Sequence, residues 1–303
     1  MTDPEVSRTI KEITAGSISG VAQVLIGQPF DTIKVRLQTQ PKPGPGEERL
    51  YRGAIDCIQK TVRNEGLGAL YKGTLSPLAG IGLCVSIQFA TVEHMKRYLH
   101  STNASASDPL TLGQLFVAGS AAGIANSVVS GPVEHIRTRM QVQTKSGTEA
   151  AYRGTVDCVR KIYGQYGLAG LYKGQVSTVA REIIGYGGYF MAYELALRYF
   201  TENGRRSKSE VGILPIMLSG AIGGFGMWLP VYPVDVVKSK LQTDAFELTS
   251  RRYRSTWDCV RKTFQAEGIA GFYRGFGPCL VRAAPVNAGT FLAFELAMRL
   301  LNR

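Results

Sequence analysis

The chain has 303 residues, of which 45% are hydrophobic and 19% are charged, and 35 Lys and Arg against 23 Asp and Glu give a formal charge of +12. The apolar content excludes a disordered chain, and five dispersed cysteines exclude a disulfide scaffold or a zinc ribbon. The positive charge favours a negatively charged partner, either nucleic acid or an anionic membrane surface.

The first part of the chain predicts three helices in order. A long helix, ITAGSISGVAQVLIGQPFDTIKVRLQ, carries Gly16 and Gly20 at a spacing that is typical of closely packed membrane helices. A breaker-rich loop, PKPGPGEE, separates it from a short amphipathic helix that follows YRG. A second long helix, SPLAGIGLCVSIQFATVEHMKRYL, comes next. Because polar residues interrupt its apolar run, a hydropathy window underrates it as a membrane span.

The same elements recur twice further along the chain. YRGAIDC recurs as YRGTVDC and YRSTWDC in steps of about 100 residues, and PFDTIKVRLQ recurs as PVEHIRTRMQ and PVDVVKSKLQ. The glycine pair recurs as Gly119/Gly123 and Gly220/Gly224. We therefore predict three tandem repeats, at residues 1–105, 106–206 and 207–303. They form an all-α membrane protein, a threefold pseudosymmetric bundle of six transmembrane helices with short helices at one end. A soluble α-solenoid is disfavoured because its units have roughly 20–50 residues.

The repeated motif Pro-x-[Asp/Glu]-x-x-[Lys/Arg]-x-[Lys/Arg]-x-Gln resembles the mitochondrial carrier family over essentially the whole chain. Within that family, QPFDTIKVRLQTQ and RAAPVNAGTFLAFELAMR are most similar to the amino-acid and carnitine branch, in particular to YMC-type fungal carriers. The resemblance implies a multi-pass transporter of the mitochondrial inner membrane, which works as a monomer by alternating access and exchange. It also implies that the protein is not an enzyme, binds no metal or cofactor, and holds cardiolipin as a structural lipid.

The charged residues of the motif are expected to form a ring. Each motif proline kinks its helix, and the acid and the base that follow lie three residues apart on one face. Threefold geometry then pairs the acid of one repeat with the base of another: Asp31 with Arg137, Glu134 with Lys238, and Asp235 with Lys34. We call these six residues the matrix ring, because the resemblance implies that they close the matrix side. It also implies that Gln38, Gln141 and Gln242 brace the ring.

A second charged element near the other end of the bundle is incomplete. The family pattern of an aromatic residue, an acid and a base three residues later suggests a cytoplasmic gate formed by Glu93, Lys96, Glu194 and Glu295. Glu93 has its base in Lys96, whereas Glu194 and Glu295 have none at that spacing. We therefore expect at most one strong ion pair there.

The expected substrate contacts lie between the two gates. The repeats align Gly80-Ile81 with Arg181-Glu182 and with Arg282, and the resemblance implies that these positions contact substrate. We expect Arg181 to bind a carboxylate, Glu182 an ammonium group and Arg282 a second carboxylate. Two further candidates are Tyr189, as an aromatic wall of the site, and Trp228, either stacked on a quaternary ammonium or simply packed.

These contacts favour an amino acid or a carnitine-like zwitterion as the substrate. Gly80 supplies no additional acid, which disfavours ornithine, arginine and lysine. A carrier for those basic amino acids remains the alternative.

Glycines precede the predicted short helices and the second long helices. Backbone amides at a helix N-terminus bind phosphate groups, and the resemblance implies cardiolipin sites at Gly53, Gly73, Gly154, Gly174 and Gly275.

A basic nucleic-acid-binding helical repeat protein is the alternative from another class. The concentration of Lys and Arg at the predicted helix ends favours a membrane protein instead.

Overall fold

The computed structural model describes residues 4–41, 43–44, 46–102, 110–145, 150–201 and 213–301. Within these ranges it contains long and short helices and no strand. The long helices are α1 (Pro4–Thr39), α3 (Leu75–Thr102), α4 (Leu112–Val142), α6 (Gln175–Phe200), α7 (Ile213–Thr243) and α9 (Phe276–Leu301). The short ones are α2 (Ala54–Glu65), α5 (Thr155–Leu171) and α8 (Thr256–Glu267), and 3₁₀ turns at Leu67–Tyr71 and Ile269–Tyr273 follow α2 and α8. The predicted all-α architecture is confirmed.

Proline lies inside the first long helix of each repeat. Pro29, Pro132 and Pro233 fall within α1, α4 and α7. A proline inside a helix removes one backbone hydrogen bond and kinks the helix, which neighbouring helices tolerate in a membrane bundle. The charged residues of the motif follow each proline directly, so each kink sets the direction in which they project.

The long helices surround a central space. Closely packed neighbours are α9 with α1, α3 with α4, α4 with α6, and α6 with α7. Gly123 allows α4 to approach α6 closely, because a Cβ atom there would lie 2.6 Å from the Glu182 carbonyl oxygen. Gly16 and Gly220, by contrast, have no described atom within 4 Å of such a Cβ. The close approach expected at the glycine pairs is therefore found for α4 and not for α1 or α7.

Large apolar side chains cover the outside of the bundle. Phe89 of α3 is 65% exposed and Phe291 of α9 is 68% exposed, and many similar residues accompany them. An apolar surface of this extent marks contact with lipid or another apolar partner. Two segments of the described chain, Leu67–Thr102 and α4, are long and apolar enough to cross a membrane.

Candidate functional site

The matrix ring is assembled at the ends of α1, α4 and α7. Lys34 Nζ lies 2.7 Å from Asp235 Oδ2, and an Arg137 NH group lies 2.8 Å from Asp31 Oδ2. Lys238 Nζ contacts a carboxylate oxygen of Glu134. All three predicted pairings are thus present, each joining two repeats, and they close this end of the bundle.

The three motif glutamines are buried but only one of them touches a ring carboxylate. Gln38 Nε2 donates to Asp235 Oδ2 at 3.1 Å. Gln141 and Gln242 instead donate to the hydroxyls of Thr32 and Thr178, at 3.3 and 3.5 Å. The bracing contact expected for these two is therefore replaced by a helix-to-helix bond, because their amides face a neighbouring helix and not the ring.

Gln28, which the sequence analysis did not single out, also supports the ring. Its Oε1 accepts from the Arg137 guanidinium, 3.0 Å from Nε, and its Nε2 donates to the Lys72 carbonyl at 2.8 Å. In the sequence, its position directly before the motif proline could have indicated this role. Gln28 therefore holds Arg137 together with Asp31, since both accept from the same guanidinium nitrogen.

The expected contact arginines reach ring carboxylates. Arg181 donates to both carboxylate oxygens of Glu134, at 2.8 and 3.0 Å, and also contacts Glu182. Arg282 Nε lies 3.1 Å from Asp31 Oδ1. Both arginines therefore connect the level of the expected contacts to the matrix ring.

A cavity of about 380 Å³ lies beside these arginines. It is lined from α1, α3, α4, α6 and α9, and it includes five of the expected contact residues: Gly80, Ile81, Arg181, Glu182 and Arg282. Gly80 is also a packing position, since a Cβ atom there would lie 2.9 Å from a methyl group of Val133. The structure thus brings the aligned residues of the three repeats to one site.

Two expected contact residues lie elsewhere. Tyr189 faces α7, where its ring lies 3.2 Å from the Cβ that Gly223 would carry. Trp228 is covered by Lys34, whose Nζ lies 4.5 Å from the ring centroid. The aromatic residue that lines the cavity is Tyr186, which follows Glu182 by one helical turn.

The charges that line the cavity differ in accessibility. The side chains of Glu134 and Arg282 are 28% and 25% exposed, whereas that of Glu182 is only 2% exposed. The expected ammonium partner, Glu182, is therefore covered, because it pairs with Arg181 and packs against α4. Glu134 is the more accessible carboxylate.

The opposite end of the bundle has a different arrangement of charges. Glu93 pairs with Lys96 at 3.3 Å, Glu194 with Arg198 at 3.0 Å, and Glu295 with Arg299 at 2.8 Å. Each of these pairs lies within a single helix, α3, α6 or α9. Since each acid is satisfied by a base on its own helix, these residues form no inter-repeat pair in the described chain. Among the described residues, this conformation has a closed matrix ring and no matching ring at the other end.

The glycines expected at lipid sites fall into two groups. Gly73, Gly174 and Gly275 have φ angles of +80°, +79° and +82°, a region that favours glycine. A Cβ atom on Gly73 would also lie 2.9 Å from the Arg137 carbonyl oxygen. Gly53 and Gly154 have extended backbones, and no described atom lies within 4 Å of a Cβ built on either. The first group is required by the fold, whereas the second leaves open space at the N-termini of α2 and α5.

Comparisons with known proteins agree with this architecture. A family model described as mitochondrial carrier protein matches residues 5–103, 108–204 and 209–303. The chain is 47% identical over 290 residues to a glutamate/glycine mitochondrial carrier of Schizosaccharomyces pombe, which covers 95% of this chain and 94% of the relative. It is 44% identical to a mitochondrial glycine transporter of Saccharomyces cerevisiae, over 97% of this chain and 92% of the relative. It is 38% identical to the human mitochondrial carnitine/acylcarnitine carrier protein, over 99% of this chain and 97% of the relative.

These matches confirm the three-repeat transporter fold and the predicted location in the mitochondrial inner membrane. They also favour a carrier over the nucleic-acid-binding alternative. Three matched repeats that span the chain, together with the assembled ring and cavity, lead to one conclusion. The chain belongs to the mitochondrial carrier family.

Proposed function

We propose that this carrier exchanges a small zwitterion, an amino acid or a carnitine-like molecule, across the inner membrane by alternating access and without chemical change. The names of its relatives, which are carriers of glutamate, glycine or carnitine, support this substrate class. The carrier works as a monomer with cardiolipin as a structural lipid, and the open N-termini of α2 and α5 are the places where a lipid phosphate fits best.

The proposal rests on one observation: the arginines of the cavity contact the same carboxylates that hold the matrix ring together. Arg181 donates to Glu134 and Arg282 forms an ion pair with Asp31, while the same two acids hold Lys238 and Arg137. A substrate carboxylate that binds either arginine competes with a ring acid for that donor. Binding of substrate therefore weakens the closed ring, which is the differential interaction that a conformational change requires.

The balance of charge favours a zwitterion or an acidic zwitterion. Three arginines (Arg137, Arg181 and Arg282) and two carboxylates (Glu134 and Glu182) line the cavity, which leaves one net positive charge. A substrate with a second ammonium group adds repulsion in a setting where charges are poorly screened. Ornithine and lysine are disfavoured for this reason.

The test is uptake into liposomes that contain the purified protein and are preloaded with a counter-substrate. We expect uptake of glycine, glutamate or carnitine and none of ornithine. Because loss of one partner of a buried ion pair costs about 3–5 kcal/mol, Arg181→Ala should reduce transport by about two to four orders of magnitude. Arg282→Ala should impair uptake of glutamate more than that of glycine, and Arg52→Ala at an exposed position is the matched control. Uptake of ornithine and lysine alone would contradict the substrate class.

A further inference from the structure

Helix α4 presents a stripe of three polar side chains to the cavity. Asn126, Ser130 and Glu134 all line it, and they follow one another at intervals of four residues. Residues at this interval lie on one helix face, about 6 Å apart along the axis. Gly80 and Cys84 of the neighbouring helix α3 also line the cavity and contribute no charge.

The amide of Asn126 has one oxygen without a partner. Asn126 is 3% exposed, and its Nδ2 donates to Glu182 Oε2 at 3.4 Å. Because a carboxylate only accepts, the amide nitrogen must face Glu182 and the amide oxygen must point away from it. Oδ1 is buried and accepts no hydrogen bond from the described residues.

Ser130 has an unused hydroxyl one turn further along. Ser127 and Thr138 of the same helix donate to carbonyls of their preceding turns, both at 2.7 Å. Ser130 is 6% exposed, and its Oγ has no such bond to any described residue. Buried polar atoms are normally paired, because leaving them unpaired costs free energy. Two neighbouring side chains of this cavity therefore each carry a buried oxygen without a hydrogen-bond partner among the described residues.

We propose that Asn126 and Ser130 form a subsite for the primary ammonium group of the substrate. A primary ammonium has three N–H donors, of which Asn126 Oδ1 and Ser130 Oγ take two, while Glu134 and the Glu182 carboxylate behind Asn126 supply negative charge. A quaternary ammonium has no N–H donor and leaves both oxygens unpaired. The aromatic ring suited to such a group, Trp228, already holds Lys34. The subsite rests on the proposed function and narrows it, from zwitterions in general to amino acids with a free amine.

The experiment uses glycine and glutamate that carry zero, one, two or three N-methyl groups. Within each series the carboxylates and the positive charge are retained, while one donor is lost at each step. Each compound is tested as an inhibitor of labelled amino-acid uptake into liposomes that contain the full-length carrier. For the unmodified protein, the trimethylated compound should inhibit about a hundredfold more weakly than the parent, since each lost charged hydrogen bond corresponds to about tenfold or more.

Two variants separate donor recognition from simple exclusion of bulky methyl groups. In Asn126→Leu and in Ser130→Ala, inhibition by the parent amino acid should weaken about tenfold, whereas inhibition by the trimethylated form should change by less than about threefold. Ser127→Ala is the matched control, because its hydroxyl already has partners in the Ile124 carbonyl and in Gln175 Nε2. Thermal unfolding in detergent checks that each variant is folded, and if Asn126→Leu is not, Ser130→Ala alone decides.

If the parent amino acid and all its N-methylated forms inhibit the unmodified protein equally, the subsite is overturned and the proposed function stays intact. An equal loss for parent and trimethylated compounds in both variants would overturn it as well, since it would show a purely structural role. Failure of the unmodified protein to recognise glycine, glutamate or carnitine would instead reject the proposed function, and the subsite with it.

Discussion

Lys34 is the ring base with the most specific surroundings. Its ammonium group pairs with Asp235 and lies 4.5 Å from the ring centroid of Trp228 and 5.4 Å from that of Tyr232. A cation held by a carboxylate and by aromatic faces is stabilised by both. Trp228 therefore serves the ring and not the substrate cavity.

Reversing the charge of Lys34 should stop transport. Lys34→Asp places two carboxylates side by side in a buried site, and breaking such a pair costs about 3–5 kcal/mol. Combining it with Asp235→Lys should restore part of the uptake, because the pair is re-formed but the contact with Trp228 is lost. The exposed pair Glu48–Arg52, reversed in the same way, should change little. No recovery in the double variant would count against the pairing.

Gly53 offers a clean test of lipid binding that Gly73 does not. Gly53→Leu enters open space with an extended backbone, so it should not strain the fold, but it should block a lipid phosphate at the N-terminus of α2. We expect its melting temperature to match that of the unmodified protein without cardiolipin and to fall below it when cardiolipin is added. Gly73→Leu should lower the melting temperature under both conditions, because its backbone has a positive φ. If cardiolipin stabilises Gly53→Leu fully, the lipid binds elsewhere.

At the scale of elements, the three short helices are anchored differently. Glu65, the last residue of α2, bridges Arg36 and Lys72, at 2.5 and 2.7 Å. Glu267, the last residue of α8, bridges Lys240 and Arg274, at 3.1 and 2.5 Å. The second repeat has Tyr166 at this position, and its ring stacks on Phe246 with the centroids 4.2 Å apart.

Two cations lie over the ring of Phe246, and no acid of the described chain bridges them as Glu65 and Glu267 do in the other repeats. The Arg139 guanidinium and Lys173 Nζ lie 4.2 and 4.5 Å from the centroid of Phe246. Both also donate to the carbonyl of Asp244, each at 2.5 Å. The anchor of α5 therefore combines aromatic contacts with two neighbouring positive charges.

This arrangement predicts a dependence of stability on pH. Burial, reinforced by the nearby Arg139 charge, lowers the pKa of Lys173 from 10.5 to about 8. Between about pH 8 and 10.5 the folded protein has released this proton while the unfolded chain still holds it, so the free energy of unfolding rises with pH. The melting temperature of the unmodified protein should rise relative to that of Lys173→Met between about pH 7.5 and 9.5. Exposed Lys161→Met is the control, and a constant difference from Lys173→Met would contradict the assignment.

At the scale of the whole molecule, the described residues form ion pairs between repeats at one end of the bundle and none at the other. The three ring pairs join α1, α4 and α7, whereas the acids near the other end pair within their own helices. This conformation should therefore admit solutes from the side away from the matrix ring.

The reactivity of the Cys84 thiol tests this access. Of the five cysteines, Cys57, Cys158 and Cys259 are fully buried and Cys279 is nearly so, while Cys84 lines the cavity. An impermeant thiol reagent added on the side away from the ring should inhibit transport, and bound substrate should slow the reaction. Cys84→Ser should be resistant, whereas Cys57→Ser should remain sensitive. Equal sensitivity of the two variants would place the reactive thiol outside the cavity.

The sequence by itself determined the repeats, the helices and the pairing of the ring. These features depend on local spacing: an acid and a base three residues apart after a proline share a helix face. Three copies in register then leave one threefold arrangement in which each acid meets a base of another repeat. The aligned positions Gly80, Arg181 and Arg282 follow from the same symmetry, and they do meet at one cavity.

Only the tertiary structure decided which side chains face that cavity. Tyr186 lines it and Tyr189 does not, Lys34 covers Trp228, and Asn126 and Ser130 bring unpaired oxygens to it. These outcomes depend on the rotation and tilt of each helix, which close contacts between distant segments fix, as where Gly123 of α4 meets the backbone of Glu182 in α6. Helical periodicity specifies which residues share a face, but it does not specify the neighbour toward which that face is turned.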